Sequence, residues 1–203
     1  MCKSRYLVVT ACAVLTVAAL GGSASRADLI SYTAALSALG ESPPTSPGTG
    51  LAQIDYDGTL HTMRVRATFS GLLGNTTASH IHSPTAEPLA GNAGVATTTP
   101  TFAGFPLGVT SGSYDNTLDM TLASSYNPAF ITAHSGTIAG AEAFLASSFA
   151  AGKSYFNIHT NQYPGGEIRG FLQPIPEPSS FFLAGAAAVG LLAWGWRRRK
   201  LVE

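Results

Sequence analysis

Apolar residues recur at every second position along three stretches of the chain. Ile30, Tyr32, Ala34 and Leu36 alternate with Ser31, Thr33 and Ala35; Met63, Val65, Ala67 and Phe69 alternate with Arg64, Arg66 and Thr68; Leu118, Met120 and Leu122 alternate with Thr117, Asp119 and Thr121. Successive side chains of a strand point to opposite sides, so each stretch predicts a β-strand with one buried and one wet face. Asp57-Gly58, between Ala52–Tyr56 and Leu60 onward, has the residues of a type I′ turn and predicts a hairpin. Tyr114-Asp115-Asn116-Thr117 predicts a second hairpin. Helical spacing occurs once, between Gly140 and Ala151: Ala141, Phe144, Leu145 and Phe149 share one face, and Gly152 is placed to stop the helix.

The connections are rich in turn formers. Glu41 to Gly48 holds too much proline for a strand, and Ser83 to Thr101 reads as a long loop carrying one short strand around Val95. No period of ~20–50 residues recurs, which excludes a solenoid. Residues 28–175 have the length of one domain. The expected fold is mainly β: a single Greek-key-like antiparallel β-sandwich or barrel with one short helix.

The termini have a different character. Lys3 and Arg5 precede an apolar run from Tyr6 to Leu20, and Ser25-Arg26-Ala27 offers small residues at the −3 and −1 positions of a cleavage site before Asp28. Residues 1–27 therefore read as a signal peptide that engages the Sec translocon and signal peptidase. Its removal takes away Cys2 and Cys12, so the mature chain can form no disulfide. At the other end, Pro176-Glu177-Pro178 is followed by an uncharged run from Phe181 to Trp196 and then by Arg197-Arg198-Arg199-Lys200. That run spans ~24 Å as a helix against a hydrocarbon core of ~30 Å, short but able to serve as a transient stop with its basic end cytoplasmic. The order of these three parts resembles the PEP-CTERM sorting signal of Gram-negative bacteria, here residues 176–203. The resemblance implies recognition and removal of the tail by an exosortase. It further implies transient anchoring in the inner membrane, then release to the cell surface or matrix, where extracellular polysaccharide or surface proteins are the expected partners.

Charge sharpens this division. The whole chain balances 11 Lys+Arg against 11 Asp+Glu, but residues 28–175 hold four of the former and nine of the latter, a net of −5. An acidic domain lacks the basic footprint of a nucleic-acid binder and should focus well below the whole-chain isoelectric point of 7.0.

Three of the five histidines are candidates for chemistry. His80 and His82, at i and i+2, point to one side of a strand, and Tyr155, Asn157 and His159 share a face opposite Phe156 and Ile158. Ser70-Gly71-Leu72 leading to His80-x-His82, Asn157-x-His159-Thr160 leading to Pro164-Gly165-Gly166-Glu167-Ile168-Arg169-Gly170, and Glu41-x-Pro43-Pro44 upstream together resemble the CHRD domain, named for chordin, from about Ser31 to Leu172. Here Ser83-Pro84 stands where that family commonly has Gly-Pro, and Thr85 to Gly94 is a longer insertion. The resemblance implies a secreted or surface protein and no particular activity.

Two readings of the histidines stay open. A His-x-His strand with a third His on another strand is a first shell for Cu or Zn, with Glu167 as a further ligand or a supporting residue. The Gly-Leu and His-x-His order is similar, over a short stretch only, to the copper-binding strand of Cu/Zn superoxide dismutase, from which no catalytic role is carried over. Alternatively His80, His82, His159 and Glu167 pin loops through hydrogen bonds. His61 and His134 read as bland, and Asp55 with Asp57 as a strand end and a solvated turn. No nucleophile elbow, phosphate loop or His-Glu-x-x-His motif occurs, so an exported non-catalytic module is favoured over an enzyme.

Overall fold

A computed structural model describes residues 29–42, 45–176 and 189–191. Residues 1–27, expected to be a signal peptide, with both cysteines, and Pro43-Pro44, Glu177, Pro178, most of the apolar tail and the basic cluster lie outside the described residues.

The described residues form eight strands: β1 (Leu29–Ser37), β2 (Thr49–Asp57), β3 (Thr62–Ser70), β4 (Thr76–His82), β5 (Gly112–Asp119), β6 (Tyr155–Thr160), β7 (Ile168–Phe171) and the two-residue β8 (Gln173–Pro174). Of the three alternating stretches, Ile30–Leu36 and Met63–Phe69 are strand throughout, whereas the strand expected over Thr117–Leu122 ends at Asp119, where Leu122 N bonds back to Asp119 O in a turn that leaves Leu122 exposed. All pair antiparallel in one sheet of order β4-β6-β7-β1-β2-β3-β5, with β8 added beside β1. The expected sandwich or barrel is thus realised as a single curled sheet, a half-barrel. β1, β2 and β3 form a meander, whereas β4 crosses to the far end, as in a Greek key. The outer edge of β4 is covered by the irregular segment that follows it. Ala96 N donates to Ile81 O, Phe102 N to Ser79 O and Gly108 N to Thr76 O. The strand expected around Val95 is reduced to an isolated bridge to His82.

One face of the sheet holds the core. Tyr32, Ala34 and Leu36 of β1 pack with Ala52, Ile54, Met63, Val65, Ala67, Phe69, Phe156 and Ile158. Among the described residues no second sheet covers them; helix α2 (Ile138–Ala150) does, through Leu145 and Phe149, the latter ring 5.3 Å from Tyr32. Thr137 caps α2 by accepting from Gly140 N at 3.0 Å, and Gly152, at φ +65°, ends it. Phe144 turns away from the expected apolar face and rests against His134, 3.7 Å between ring centres. A second helix, α1 (Pro128–Ala133), corrects the expectation of one: Asn127 accepts from Ala129 N and Pro128 occupies the first turn.

Both predicted hairpins differ in detail. β2 and β3 do form one, but its turn has four residues, and the positive φ of 53° falls on His61, not Gly58. Asp57 is buried rather than solvated, its Oδ1 accepting from Thr59 N and Leu60 N at 2.9 Å. His61 is not bland, since its Nδ1 lies 2.9 Å from the buried Glu142 carboxylate. Tyr114 to Thr117 is no turn; it is the middle of β5, in register with β3 from Thr62–Asp119 to Phe69–Gly112. Tyr114 faces the core while Asp115 faces water and pairs with Arg64 at 2.6 Å.

Candidate metal centre

The parity that buries Ile81, Phe156 and Ile158 in the core turns their neighbours outward. Directly opposed residues on antiparallel strands point to the same side, so the register His80–Asn157–Arg169 and His82–Tyr155–Phe171 across β4, β6 and β7 builds one patch on the outer face. An outer face is normally wet, yet His80, His82 and His159 are only 7–8% exposed. Two loops roof them. One presents Asn92-Ala93, from the insertion after His82; the other presents Pro164 to Gly166.

Each loop fixes one ring. His82 Nδ1 lies 2.9 Å from Ala93 O, and His159 Nδ1 lies 2.9 Å from Pro164 O. A carbonyl oxygen can only accept, so both Nδ1 atoms carry the proton and both Nε2 atoms present a lone pair. Those two Nε2 atoms face each other at 3.4 Å. The Nδ1 atom of His80 is buried without a hydrogen-bond partner, and one nitrogen from each of the three rings lies within 4.8 Å of the others. Tyr155 stacks flat on His82 at 4.8 Å, and the Arg169 guanidinium lies over the Tyr155 ring at 4.7 Å.

The rings are held neutral. Burial, with smaller contributions from His159 and His82, pushes His80 down to about 3. Burial pushes His82 down to about 4 against the opposing hydrogen bond to Ala93, and burial lowers His159 against its bond to Pro164. Unfolding releases these rings to an ordinary value of ~6.5, so the unfolded chain binds more protons in between. The stability they contribute is full above that value and is lost as pH falls toward the folded values. Urea unfolding of the metal-free protein at pH 7.5, 6 and 5 is therefore expected to show a falling midpoint, each ring adding up to ~1.4 kcal/mol per pH unit. A flat profile across that window would contradict neutral rings.

Glu167 does not join the three histidines, so of the two roles expected for it, further ligand or supporting residue, the first is corrected. Its oxygens are already engaged by Ser46 Oγ (2.6 Å), Thr160 Oγ1 (2.7 Å), Leu73 N (2.5 Å) and Gly74 N (3.1 Å). Burial alone would raise this carboxyl, but the four donors outweigh it and hold it below the ordinary carboxylate value. Glu167 thereby ties the start of β7 to the β3–β4 connection, to the segment after Pro44 and to the end of β6. Pro176 ends the described domain, outside this region.

A cleft of about 340 Å³ opens beside His82, lined by Gly40, Glu41, Ser42, Asn92 and Arg169. Arg169 Nη1 donates to Asn92 Oδ1 at 2.5 Å, and its Nε lies 3.8 Å from Glu41 Oε1. Burial raises the Glu41 carboxyl, opposed by the Arg169 charge. Sequence reasoning overlooked the Ala93 and Pro164 carbonyls because every residue carries one. Only the turn formers around them marked where such loops fold back.

The fit of a metal can be judged on these atoms. Two imidazole nitrogens sharing a tetrahedral ion at ~2.0–2.1 Å stand ~3.3–3.4 Å apart, the spacing of the His82 and His159 pair. Ligating histidines characteristically give their other N–H to a carbonyl or carboxylate, as both do here. The three histidines are able to hold one metal ion.

Residues 174–200 match the model of the PEP-CTERM protein-sorting motif, which carries the implication of export and exosortase sorting. Among the described residues no helix is long and apolar enough to cross a membrane. No curated protein and no solved structure matches the chain. The model of the CHRD domain matches residues 32–172, from the first core residue of β1 to the end of β7 and so across both histidine-bearing strands and their roofing loops; by that match, which covers most of its sequence, the chain belongs to the CHRD domain family.

Proposed function

We propose that the chain is an exported, non-catalytic surface or extracellular-matrix module that carries one copper or zinc ion on His80, His82 and His159. The observation that carries the metal is the pair of Nε2 lone pairs aimed at each other at 3.4 Å, with a third ring beside them whose Nδ1 is buried without a partner. Facing acceptors repel, and burial opposes placing a proton between them. A cation between the rings relieves both costs, and imidazole suits copper and zinc. Loop pinning explains the Nδ1 bonds of His82 and His159 but leaves His80 without a task.

Such an ion supplies a Lewis-acid or, for copper, a redox centre when bound. The chain's own side chains offer it little catalytic support. Glu167 is spent on four donors, and Glu41 stands against Arg169 in the cleft wall. In this reading residues 1–27 direct Sec export and are removed by signal peptidase, residues 28–175 fold as the domain, and residues 176–203, marked by Pro176, Glu177 and Pro178, are sorted by an exosortase. The acidic domain then meets surface proteins or extracellular polysaccharide, the anionic ones through bridging cations.

Titration of the metal-free protein with Cu²⁺ or Zn²⁺ is expected to show one equivalent bound tighter than ~1 μM, a free energy beyond about −8 kcal/mol. Little proton release should accompany it, because the rings are already neutral. Binding weaker than that for both metals would sink the proposal.

A further inference from the structure

Both ends of the described domain leave it at one end of the sheet. β1 begins there at Leu29, and β8 runs antiparallel beside it, Gln173 opposite Thr33 and Pro174 opposite Tyr32, with Ile175 N donating to Ser31 O at 2.8 Å. The turn between β2 and β3 and the turn after β5 lie at the same end, since Leu29 is opposite Asp57, Asp57 opposite Thr62, and Thr62 opposite Asp119. Each of these segments ends in an exposed aliphatic side chain: Leu29, Ile30, Leu60 (68% exposed), Leu122 (51%) and Ile175. None of the five belongs to the buried core or to the partly buried side chains packed against it. Asp119 is an exposed carboxylate at this rim, its Oδ1 occupied by Thr121 N and Oγ1.

The sequence states what lies beyond. Five residues separate Ile175 from Phe181, where the uncharged run of the tail starts. Fully extended, six residue steps reach ~20–22 Å, and the headgroup layer takes up ~5–8 Å of that. While the tail is in a bilayer, the domain is therefore tethered with this end toward the lipid. We propose that the rim of Leu29, Ile30, Leu60, Leu122 and Ile175 docks on the membrane surface, seating the domain upright with the histidine cleft turned away from the lipid. Aliphatic side chains at the headgroup boundary gain from leaving water, and the short tether removes most of the cost of bringing them there. Exposed leucines also occur at the opposite end, Leu39 and Leu73 among them, but the tether holds that end away. The proposal rests on the reading of the tail as a membrane-inserted sorting signal.

The processed chain, residues 28–203, which carries no cysteine, is to be reconstituted in phosphatidylcholine vesicles and spin-labelled in turn at L60C, L122C, L39C and V189C. All but the last sit on exposed positions of the folded domain, so folding is not at stake. Collisions with oxygen, which concentrates in lipid, are compared with those of a water-soluble nickel chelate. The expected result is an oxygen-to-nickel ratio several-fold higher at 60 and 122 than at 39, with 189 fully lipid-like. A lipid-like 189 with 60 and 122 matching 39 overturns the docking and leaves the anchor standing. A water-like 189 overturns both.

Discussion

Replacing His80 by alanine is expected to abolish tight metal binding while leaving the metal-free fold about as stable as before. His80 Nδ1 is buried without a partner, so removing the ring deletes an unsatisfied polar atom as well as its packing, and the two effects oppose each other. His82→Ala and His159→Ala behave differently. Each also releases a roofing loop by deleting the bond to Ala93 or Pro164, so both metal binding and metal-free stability fall, the latter by about 0.5–1.5 kcal/mol beyond the packing loss. For all three, affinity should drop by more than the ~100-fold that a supporting outer residue is worth. At a metal concentration ~100 times Kd the wild-type chain gains about 2.7 kcal/mol from the ion, and the variants gain none. Calorimetric titration and thermal unfolding with and without metal read both quantities. If His80→Ala kept wild-type affinity, the three-histidine site would be excluded.

Glu167→Ala is expected to be among the most damaging single substitutions in the domain. It strands the Leu73 and Gly74 N–H groups and removes the acceptor of Ser46 and Thr160, and charge-assisted bonds of this kind with their stranded partners amount to roughly 3–5 kcal/mol. Glu167→Gln keeps the shape but turns an NH₂ group toward donors and should lose about half as much. Because the folded carboxyl is held below its unfolded value of ~4.3, its contribution is full above that pH and disappears as pH falls through the folded value. This window opens at ~4.3, within the lower part of the one set by the histidines. The spread between the urea midpoints of the three proteins should therefore be smaller at pH 3.5 than at pH 7. A wild-type midpoint for Glu167→Ala at pH 7 would remove Glu167 from its role as a tie between loops.

Two of the three stretches with a strict period of two could be read directly, while the third, Thr117–Leu122, leaves its strand at Asp119. The two are β1 and β3, and the shared face of His80, His82, Tyr155, Asn157 and His159 was as legible, because parity alone decides on which side a strand residue lies. α2 was legible from its spacing and its glycine stop. Turn composition misled twice. Asp115 and Asn116 resemble a turn but continue β5, Asp115 on the water side and Asn116 on the side of Tyr114 with its Nδ2 donating to Ala103 O, and Asp57 organises its turn through its side chain, so that the left-handed residue is His61. Sheet closure was not legible, since the same strands could be covered by a second sheet or by a helix, and only the contacts of Phe149 with Tyr32 and Tyr56 decide it. The candidate site divides in the same way. Its ring-bearing residues were visible as types at a spacing, whereas the carbonyls that set their tautomers belong to backbone, which no residue letter encodes.

The pairing of β1 has a consequence for the order of events. The first strand of the domain to emerge from any translocation channel lies in the middle of the sheet, bonded on one side to β2 and on the other to β7 and β8, the last strands to emerge. Such end-to-end pairing raises the mean sequence separation of contacts and slows folding. A chain crossing a bilayer from its N-terminus can form the β1-β2-β3 meander early, but the sheet stays open beside β1 until residue 174 is through. β4, with two of the three histidines, waits likewise for β6. In such threading the sheet is completed last beside β1, and the histidine cluster cannot be assembled until residue 159 is through.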